Sequence, residues 1–307
     1  MAQITAALVK ELRDKTSAGM MDCKKALNET GGDLEAAVDW LRTKGIAKAD
    51  KKAGRVAAEG LVGYALNGTK GALVEVNSET DFVARNEGFQ AAVEEVTNLA
   101  LTCDSTEELA AAKTSTGETV TEFFTTLVAK IGENMGLRRM DSVSVGSGTV
   151  TGYMHNAVAG NMGKIGVLVG LESTADTAKL DALGKKIAMH IAATNPLALN
   201  VEDLDQSVVA KEREMLKAEA LESGKPEAIV DKMVDGRMTK FFKESVLMTQ
   251  IFVMDGERSI EQVIADEAKA LGTDVKLTGY VRMALGDGIE KEEEDFAAEV
   301  AKTAAGG

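Results

Sequence analysis

Two acidic side chains, Glu79 and Asp81, flank Thr80 immediately before the aromatic side chain of Phe82. Paired carboxylates can serve in acid–base catalysis, but no base, nucleophile or metal-ligand cluster accompanies them along the chain. An acid beside an exposed aromatic side chain instead suits a protein that pushes into another protein. The local sequence also allows a structural interpretation, with Phe82 in the core and Asp81 as a helix N-cap.

The acid–aromatic pair lies at a junction between two predicted elements. The apolar run at residues 72–76 predicts a strand, and a helical pattern begins near Glu87. A junction of this kind can place Asp81 and Phe82 side by side at the tip of a rigid unit. The elements around the junction therefore decide whether Phe82 is buried or presented to solvent.

The length and composition restrict the class of protein. The 307 residues are enough for two or three domains with a sizeable core. No apolar run approaches the roughly 18 residues that a membrane-spanning helix needs, and charges within residues 10–15 interrupt any signal-like apolar segment. We therefore expect a cytoplasmic protein with no membrane partner.

The net charge of −14, from 35 basic and 49 acidic residues, disfavours direct binding to nucleic acid. One local cluster of basic residues lacks the interleaved aromatic side chains of a nucleic-acid site, and we interpret it as the solvated face of a linker. Its members are Lys44, Lys48, Lys51, Lys52 and Arg55.

The sequence predicts neither a cofactor nor a bound metal ion. Cys23 and Cys103 are the only cysteines, so no structural zinc site can form from them. We expect Cys23 to be a small buried residue of a helix. The glycine-rich segments contain no GxxxxGK[ST] motif, which argues against nucleotide binding by this chain.

Four further side chains could be structural or could contact a partner. Met20 and Met21 follow the turn at Gly19; the sequence favours core packing for them, although two adjacent residues at a helix start cannot easily both face inward. We expect His190 to be a hydrogen-bonded structural residue on a helix face. His155 falls in a predicted hairpin, where it can lie at the surface, and no serine or cysteine forms a catalytic triad with it.

Residues 1–46 predict a compact unit of three helices, followed by a linker at 47–56. Thr5 and Asp33 are suitable N-caps for the first and third helices, and Gly45 is a suitable residue after the end of the third. The predicted helices are Thr5 to Lys15, Met21 to Glu29 and Leu34 to Lys44.

The remainder predicts an α+β fold with two related antiparallel subdomains. A Gly-Tyr pair begins a strand–turn–strand–helix pattern twice, and a third pair, Gly279-Tyr280, lies in one more predicted strand. Two amphipathic helices separated by glycine and proline predict an antiparallel hairpin inserted into the second half. The predicted divisions are 57–142, 143–202 with 247–285, the hairpin at 203–246, and a C-terminal helical module at 286–307.

Seven short segments occur in an order that resembles the elongation factor Ts family, the bacterial nucleotide-exchange factors for elongation factor Tu. Any one of them is weak, but the ordered set spans nearly the whole chain and is highly specific. They are residues 8–13, 17–27, 77–86, 131–134, 187–190, 223–226 and 296–300. The resemblance implies a ubiquitin-associated-like N-terminal unit and an exchange factor that performs no chemistry of its own.

The resemblance also implies which residues contact the partner, in its GDP-bound and nucleotide-free forms. The segment Thr80, Asp81, Phe82 and Val83 would displace Mg²⁺, with Phe82 entering an apolar pocket and Asp81 disturbing the groups that order the metal ion. Further implied contacts are made by Arg13, Met20, Met21 and His155.

Other functions remain open from the sequence. A ubiquitin-like-binding adaptor would use the N-terminal unit alone, and a structural dimer would have no exchange activity. An enzyme that uses Glu79 and Asp81 is the third possibility, although paired acids without a visible cleft are weak evidence for it. The sequence does not distinguish a homodimer from a heterotetramer with the partner.

Overall fold

The computed structural model describes residues 4–16, 18–222 and 226–290. These residues form ten α-helices and six strands, which confirms the α+β class. The helices are α1 (Ala6–Thr16), α2 (Met20–Glu29), α3 (Leu34–Asp50), α4 (Glu87–Leu99), α5 (Thr106–Ala111), α6 (Val120–Ile131), α7 (Thr177–Thr194), α8 (Gln206–Glu222), α9 (Glu227–Ser245) and α10 (Ile260–Leu271). The strands are β1 (Glu59–Asn67), β2 (Lys70–Ser78), β3 (Met135–Ser144), β4 (Gly148–Ala159), β5 (Met162–Glu172) and β6 (Lys276–Ala284).

The N-terminal helices α1, α2 and α3 pack around a small apolar core of their own. Both predicted caps form: Thr5 Oγ1 accepts from the backbone N–H of Leu8 at 3.2 Å, and Asp33 Oδ1 accepts from that of Ala36 at 3.0 Å. Each cap satisfies a helix-end donor that has no intrahelical partner. The buried residues of this core, which include Cys23 as predicted, are Val9, Leu12, Cys23, Ala26, Leu27 and Ala37.

The predicted end of the third helix at Lys44 is wrong, because α3 continues through Gly45 to Asp50. Gly45 is buried, and a Cβ atom there would lie 3.2 Å from the Cβ of Ala129 on α6. The missing side chain therefore lets α3 approach α6 closely, and this packing outweighs the helix-ending tendency of glycine. The helix extends into the segment that the sequence assigned to the linker at 47–56.

All strand pairs are antiparallel, and the strand order is β3-β2-β1-β5-β4, with β6 also paired to β5. Strand β1 meets β5 at only two residue pairs, Val62 with Gly163 and Gly63 with Met162. From Ile165 onward β5 pairs instead with β6, the strand predicted around the third Gly-Tyr pair. The two predicted halves therefore share one continuous sheet and do not have a sheet each.

Each half of the sheet is covered by its own helices. Helices α4 and α6 bury Phe89, Val93 and Phe124 in one apolar cluster with residues of β1, β2 and β3, while α7 and α10 bury Ile187 and Ile264 in a second cluster with residues of β5 and β6. Burial of this apolar surface is the main term that stabilises both layers. The helical stretches that the sequence placed after each pair of strands are thereby confirmed as α4 and α7.

One buried carboxylate joins β2 to β3 and to the segment after β6. Glu75 is fully buried; its Oε1 accepts from Arg138 at 2.9 Å and from the backbone N–H of Gly286 at 2.8 Å, and its Oε2 accepts from Arg139 at 2.6 Å. Burial by itself would raise the pKa of Glu75, but the hydrogen bonds from Gly286, Asn77 and Arg138 outweigh burial and lower it. The carboxylate is therefore held in its charged form.

The predicted helical hairpin is present as α8 and α9. Arg213 on α8 pairs with Asp235 on α9 at 2.7 Å, and Glu219 pairs with Arg237 at 2.8 Å, as expected for antiparallel neighbours. The apolar seam between the helices consists of Leu216, Ala220, Val230, Val234 and Met238.

Two predicted features fall outside the described ranges. These are residues 223–225 at the hairpin tip and residues 291–307 of the C-terminal helical module, which include Phe296 and Val300. Among the described helices, none is both long enough and apolar enough to cross a membrane.

Candidate partner-binding site

The turn between β2 and α4 presents an aromatic side chain to solvent. Phe82 is 77% exposed, and Asp81 beside it is also exposed. The interpretation of Phe82 as a core residue is therefore wrong. Asp81 does not cap the following helix either, because Asn86 does so: its Oδ1 accepts from the backbone N–H of Phe89 at 3.1 Å.

The residues directly after Phe82 anchor the turn in the core. Val83 and Ala84 are buried in the same apolar cluster as Phe89, and they begin a short 3₁₀ turn, Val83–Arg85. Gln90 Nε2 donates a hydrogen bond to the carbonyl oxygen of Ala84 at 2.9 Å. Phe82 is thus exposed although the next two residues are packed, so its backbone has little freedom to move.

The residues before Phe82 are held by side chains from the segment between α6 and β3. Thr80 donates to Glu133 through both its backbone N–H, at 2.9 Å, and its Oγ1, at 2.7 Å. In return, Glu79 Oε1 accepts from the backbone N–H of Asn134, while its Oε2 accepts from Arg55 Nη1 at 3.3 Å. We call this reciprocal pair of carboxylates, Glu79 and Glu133, the carboxylate bracket.

The two acidic residues that are paired in the sequence, Glu79 and Asp81, do not act as a pair in the structure. Glu79 is bound to Arg55 and Asn134, whereas Asp81 is exposed, so the two carboxylates have different surroundings. Within the described ranges, no three side chains among His, Cys, Asp and Glu are grouped so that they could hold a metal ion. The turn therefore exposes one acidic and one aromatic side chain, Asp81 and Phe82, on a backbone that its neighbours hold in place.

Met20 and Met21 form a second exposed apolar group, on the three-helix unit. They are 58% and 77% exposed, so the core packing that the sequence favoured for them is wrong. Helix α2 begins at Met20 and buries a face further along, at Cys23, Ala26 and Leu27. Arg13 on α1 is exposed as well. Thioether side chains are unbranched and polarizable, which suits an adaptable contact surface.

The two histidines have different environments. His155 is exposed on β4, where its Nδ1 lies 3.1 Å from the hydroxyl of Tyr153. His190 is fully buried, and its Nε2 lies 2.9 Å from Gln250 Oε1. Burial lowers the pKa of His190, and the hydrogen bond to Gln250 acts against that shift. The prediction of a hydrogen-bonded structural histidine at position 190 is confirmed.

The residues predicted to contact a partner thus lie in three separate parts of the fold. Thr80 to Val83 form one turn, Arg13, Met20 and Met21 belong to the three-helix unit, and His155 lies on β4. Val83 differs from its neighbours in that its side chain is buried in the free chain.

Sequence reasoning missed the supporting role of Glu133, Asn134 and Arg55. The sequence gives the first two only as members of the segment 131–134, and Arg55 only as one charge of the basic cluster in the predicted linker. Glu133 is 53 residues from Thr80 along the chain, so no local pattern could join them. The sole signal available was that residues 131–134 and 77–86 belonged to the same ordered set of segments.

Comparison with known proteins identifies the family to which the chain belongs. The family described as Elongation factor TS matches residues 79–287. The chain is 61% identical over 306 residues to Elongation factor Ts of Sphingopyxis alaskensis, which covers 99% of both chains. It is 60% identical over 306 residues to Elongation factor Ts of Rhodospirillum centenum, covering 99% of this chain and 100% of the relative.

These matches place the chain among the elongation factors of protein biosynthesis. Both the family match and the full-length relatives lead to the same group, and the chain belongs to the elongation factor Ts family. The resemblance carried by the seven ordered segments is therefore confirmed.

Proposed function

We propose that this protein binds elongation factor Tu in the cytoplasm and promotes the release of its GDP, without chemical catalysis of its own. The observation that carries the proposal is the 77% exposure of Phe82 on a turn whose flanking residues are buried or hydrogen-bonded. A large aromatic side chain on an already ordered backbone loses little conformational freedom when it binds. It can therefore act as an interface anchor.

The mechanism follows from linkage between two binding equilibria. GTPases hold GDP through a phosphate loop and Mg²⁺. A partner accelerates GDP release only if it binds the nucleotide-free form better than the GDP form. We propose that Phe82 enters an apolar pocket beside the switch region while Asp81 disturbs the groups that order Mg²⁺. By reciprocity, GDP weakens binding of the exchange factor by the same factor.

The other exposed groups would fix the direction from which Phe82 approaches. In this proposal Arg13, Met20 and Met21 contact a helix of the partner's GTPase domain. His155 and the α8–α9 hairpin contact its other domains. Contacts on separate elements of one scaffold add to the affinity because the second contact forms at high effective concentration.

The test is stopped-flow release of a fluorescent GDP analogue from elongation factor Tu, with and without the full chain. We expect the release rate to rise with the concentration of this protein and to saturate. Light scattering of the nucleotide-free complex distinguishes a heterodimer from a heterotetramer. The same measurement on the free protein distinguishes a monomer from a homodimer. Binding without any acceleration of release would contradict the proposal and favour a structural or adaptor role.

A further inference from the structure

We infer that Glu133 is a positioning residue for the Asp81–Phe82 turn, holding the backbone at Thr80 so that Phe82 is presented in one orientation. Its effect on GDP release rests on the proposed function. The bracing itself is a property of the free protein and can be measured without any partner.

The first argument is the geometry of the Thr80–Glu133 contact. Both carboxylate oxygens of Glu133 are used, one by the backbone N–H of Thr80 at 2.9 Å and the other by its hydroxyl at 2.7 Å. Two hydrogen bonds from one residue to one carboxylate fix direction as well as distance. Only Asp81 separates Thr80 from Phe82. Fixing the backbone at Thr80 therefore restricts the directions in which the exposed ring of Phe82 can point.

The second argument is where the sheet ends. The last paired residues of β2 and β3 are Ser78 and Met135. Beyond this pair the ladder between the two strands stops, and the backbone N–H groups of Thr80 and Asn134 have no ladder partner. The carboxylate bracket supplies one acceptor to each: Glu133 to Thr80, and Glu79 to Asn134. Side-chain hydrogen bonds thus join the two segments for two more residue pairs, 79 with 134 and 80 with 133, up to the base of the presented turn.

The third argument is that Glu133 itself is held in place. It follows Gly132, which ends α6 in a left-handed conformation (φ 94°) and donates its N–H to the carbonyl oxygen of Val128 at 2.9 Å. The carbonyl oxygen of Gly132 in turn accepts from Lys52 Nζ. The carboxylate therefore projects from a backbone that is fixed on its N-terminal side, as a positioning residue requires.

Three variants separate positioning from charge. Glu133→Ala removes both acceptors. Glu133→Gln keeps an oxygen for the N–H of Thr80, and its amide can donate to the threonine hydroxyl once that hydroxyl rotates. Thr80→Val removes only the hydroxyl donor. Glu94→Gln is the matched control, because Glu94 is an exposed carboxylate on α4 and the variant makes the same change in charge.

The first measurement is hydrogen exchange of the free protein, resolved at individual amides. In Glu133→Ala we expect the protection of the Thr80 amide to fall by about tenfold or more, because a bond to a charged acceptor is lost. Protection of the Asn134 amide, which is bound to Glu79, should change less. Glu133→Gln should restore most of the Thr80 protection. Unchanged protection of Thr80 in Glu133→Ala overturns the inference.

The second measurement is a double-mutant cycle on the saturating rate of GDP release. We expect Glu133→Ala to lower that rate by about tenfold, Glu133→Gln by much less, and Glu94→Gln not at all. In a Phe82→Ala background Glu133→Ala should have little further effect, because a residue that acts only through Phe82 cannot act without it.

The outcomes distinguish the two proposals. If wild-type protein does not accelerate release, the proposed function fails, and the role of Glu133 in exchange fails with it, while hydrogen exchange still decides whether the bracing exists. If wild type is active and the effects of Glu133→Ala and Phe82→Ala are additive, the positioning role is wrong. Thr80→Val tests the same contact if Glu133→Ala does not fold. It should lower the rate of GDP release in the same direction, but by a smaller factor.

Discussion

The sharpest test of the candidate site is the truncation Phe82→Ala. A phenylalanine side chain can bury on the order of 200 Å², and Phe82 is 77% exposed in the free chain, which leaves most of that area for a partner. At about 25 cal/mol per Å², burial of some 150 Å² corresponds to roughly 4 kcal/mol. Part of this is lost to imperfect packing and to the Cβ that alanine retains.

We therefore expect Phe82→Ala to weaken the stimulation of GDP release by about 2 kcal/mol or more, which is roughly thirtyfold or greater. Because the side chain is already exposed, the free energy of unfolding should change by less than about 0.5 kcal/mol. Stopped-flow release gives the first quantity, and denaturant unfolding gives the second.

Phe89→Ala is the matched control. Phe89 is fully buried only seven positions along the chain, so its truncation should destabilise the fold by about 3–5 kcal/mol. The two phenylalanines should thus give opposite results, one losing exchange activity and the other stability. If Phe82→Ala instead lowers stability like Phe89→Ala and leaves GDP release unchanged, Phe82 is a core residue in solution and the presented-aromatic argument is refuted.

Three further predictions concern separate parts of the molecule. Asp81→Ala should slow GDP release less than Phe82→Ala does, and only when Mg²⁺ is present; a defect of full size in excess chelator would remove the metal-disturbing step from the mechanism. Replacing Met20 and Met21 together by glutamine should weaken association by about tenfold in calorimetry without lowering the unfolding temperature, and unchanged affinity would count against a docking role. Because its folded pKa is lowered, Glu75 contributes stability above the ordinary glutamate pKa of 4.5 that is lost as pH falls through the folded value. Glu75→Gln should therefore cost about 3 kcal/mol at pH 7 and reduce the acid dependence of urea unfolding, whereas an unchanged pH profile would show that Glu75 is not the titrating group.

Much of the helical structure was predictable from local pattern. The hairpin and α7 follow from apolar periodicity, and the caps at Thr5 and Asp33 follow from residue type at a helix start. Such features depend on residues within a few positions of one another. The same locality explains the failure at Gly45, where the deciding contact is with Ala129 on another helix.

The sequence selected the candidate site but did not show how its residues are held or which of them are exposed. The order of the segments selected Thr80 to Val83, yet the local sequence also allowed a buried Phe82, and the sequence alone favoured core packing for Met20 and Met21. A side chain is exposed when no other element of the folded chain packs against it, and the position of those elements is not visible in the local sequence. The bracing by Glu133 was equally invisible, since it joins two segments at the point where their strands cease to pair.

By itself, then, the sequence determined the α+β class, the family and the position of the acid–aromatic pair, because motif order and short-range periodicity are written in neighbouring residues. The tertiary structure alone decided that β1 and β5 join the halves into one sheet, that Phe82 and the two methionines are exposed, and that Glu79 and Glu133 bracket the turn. These outcomes depend on the packing and hydrogen bonding of segments far apart in the chain, and no window of local sequence contains both partners.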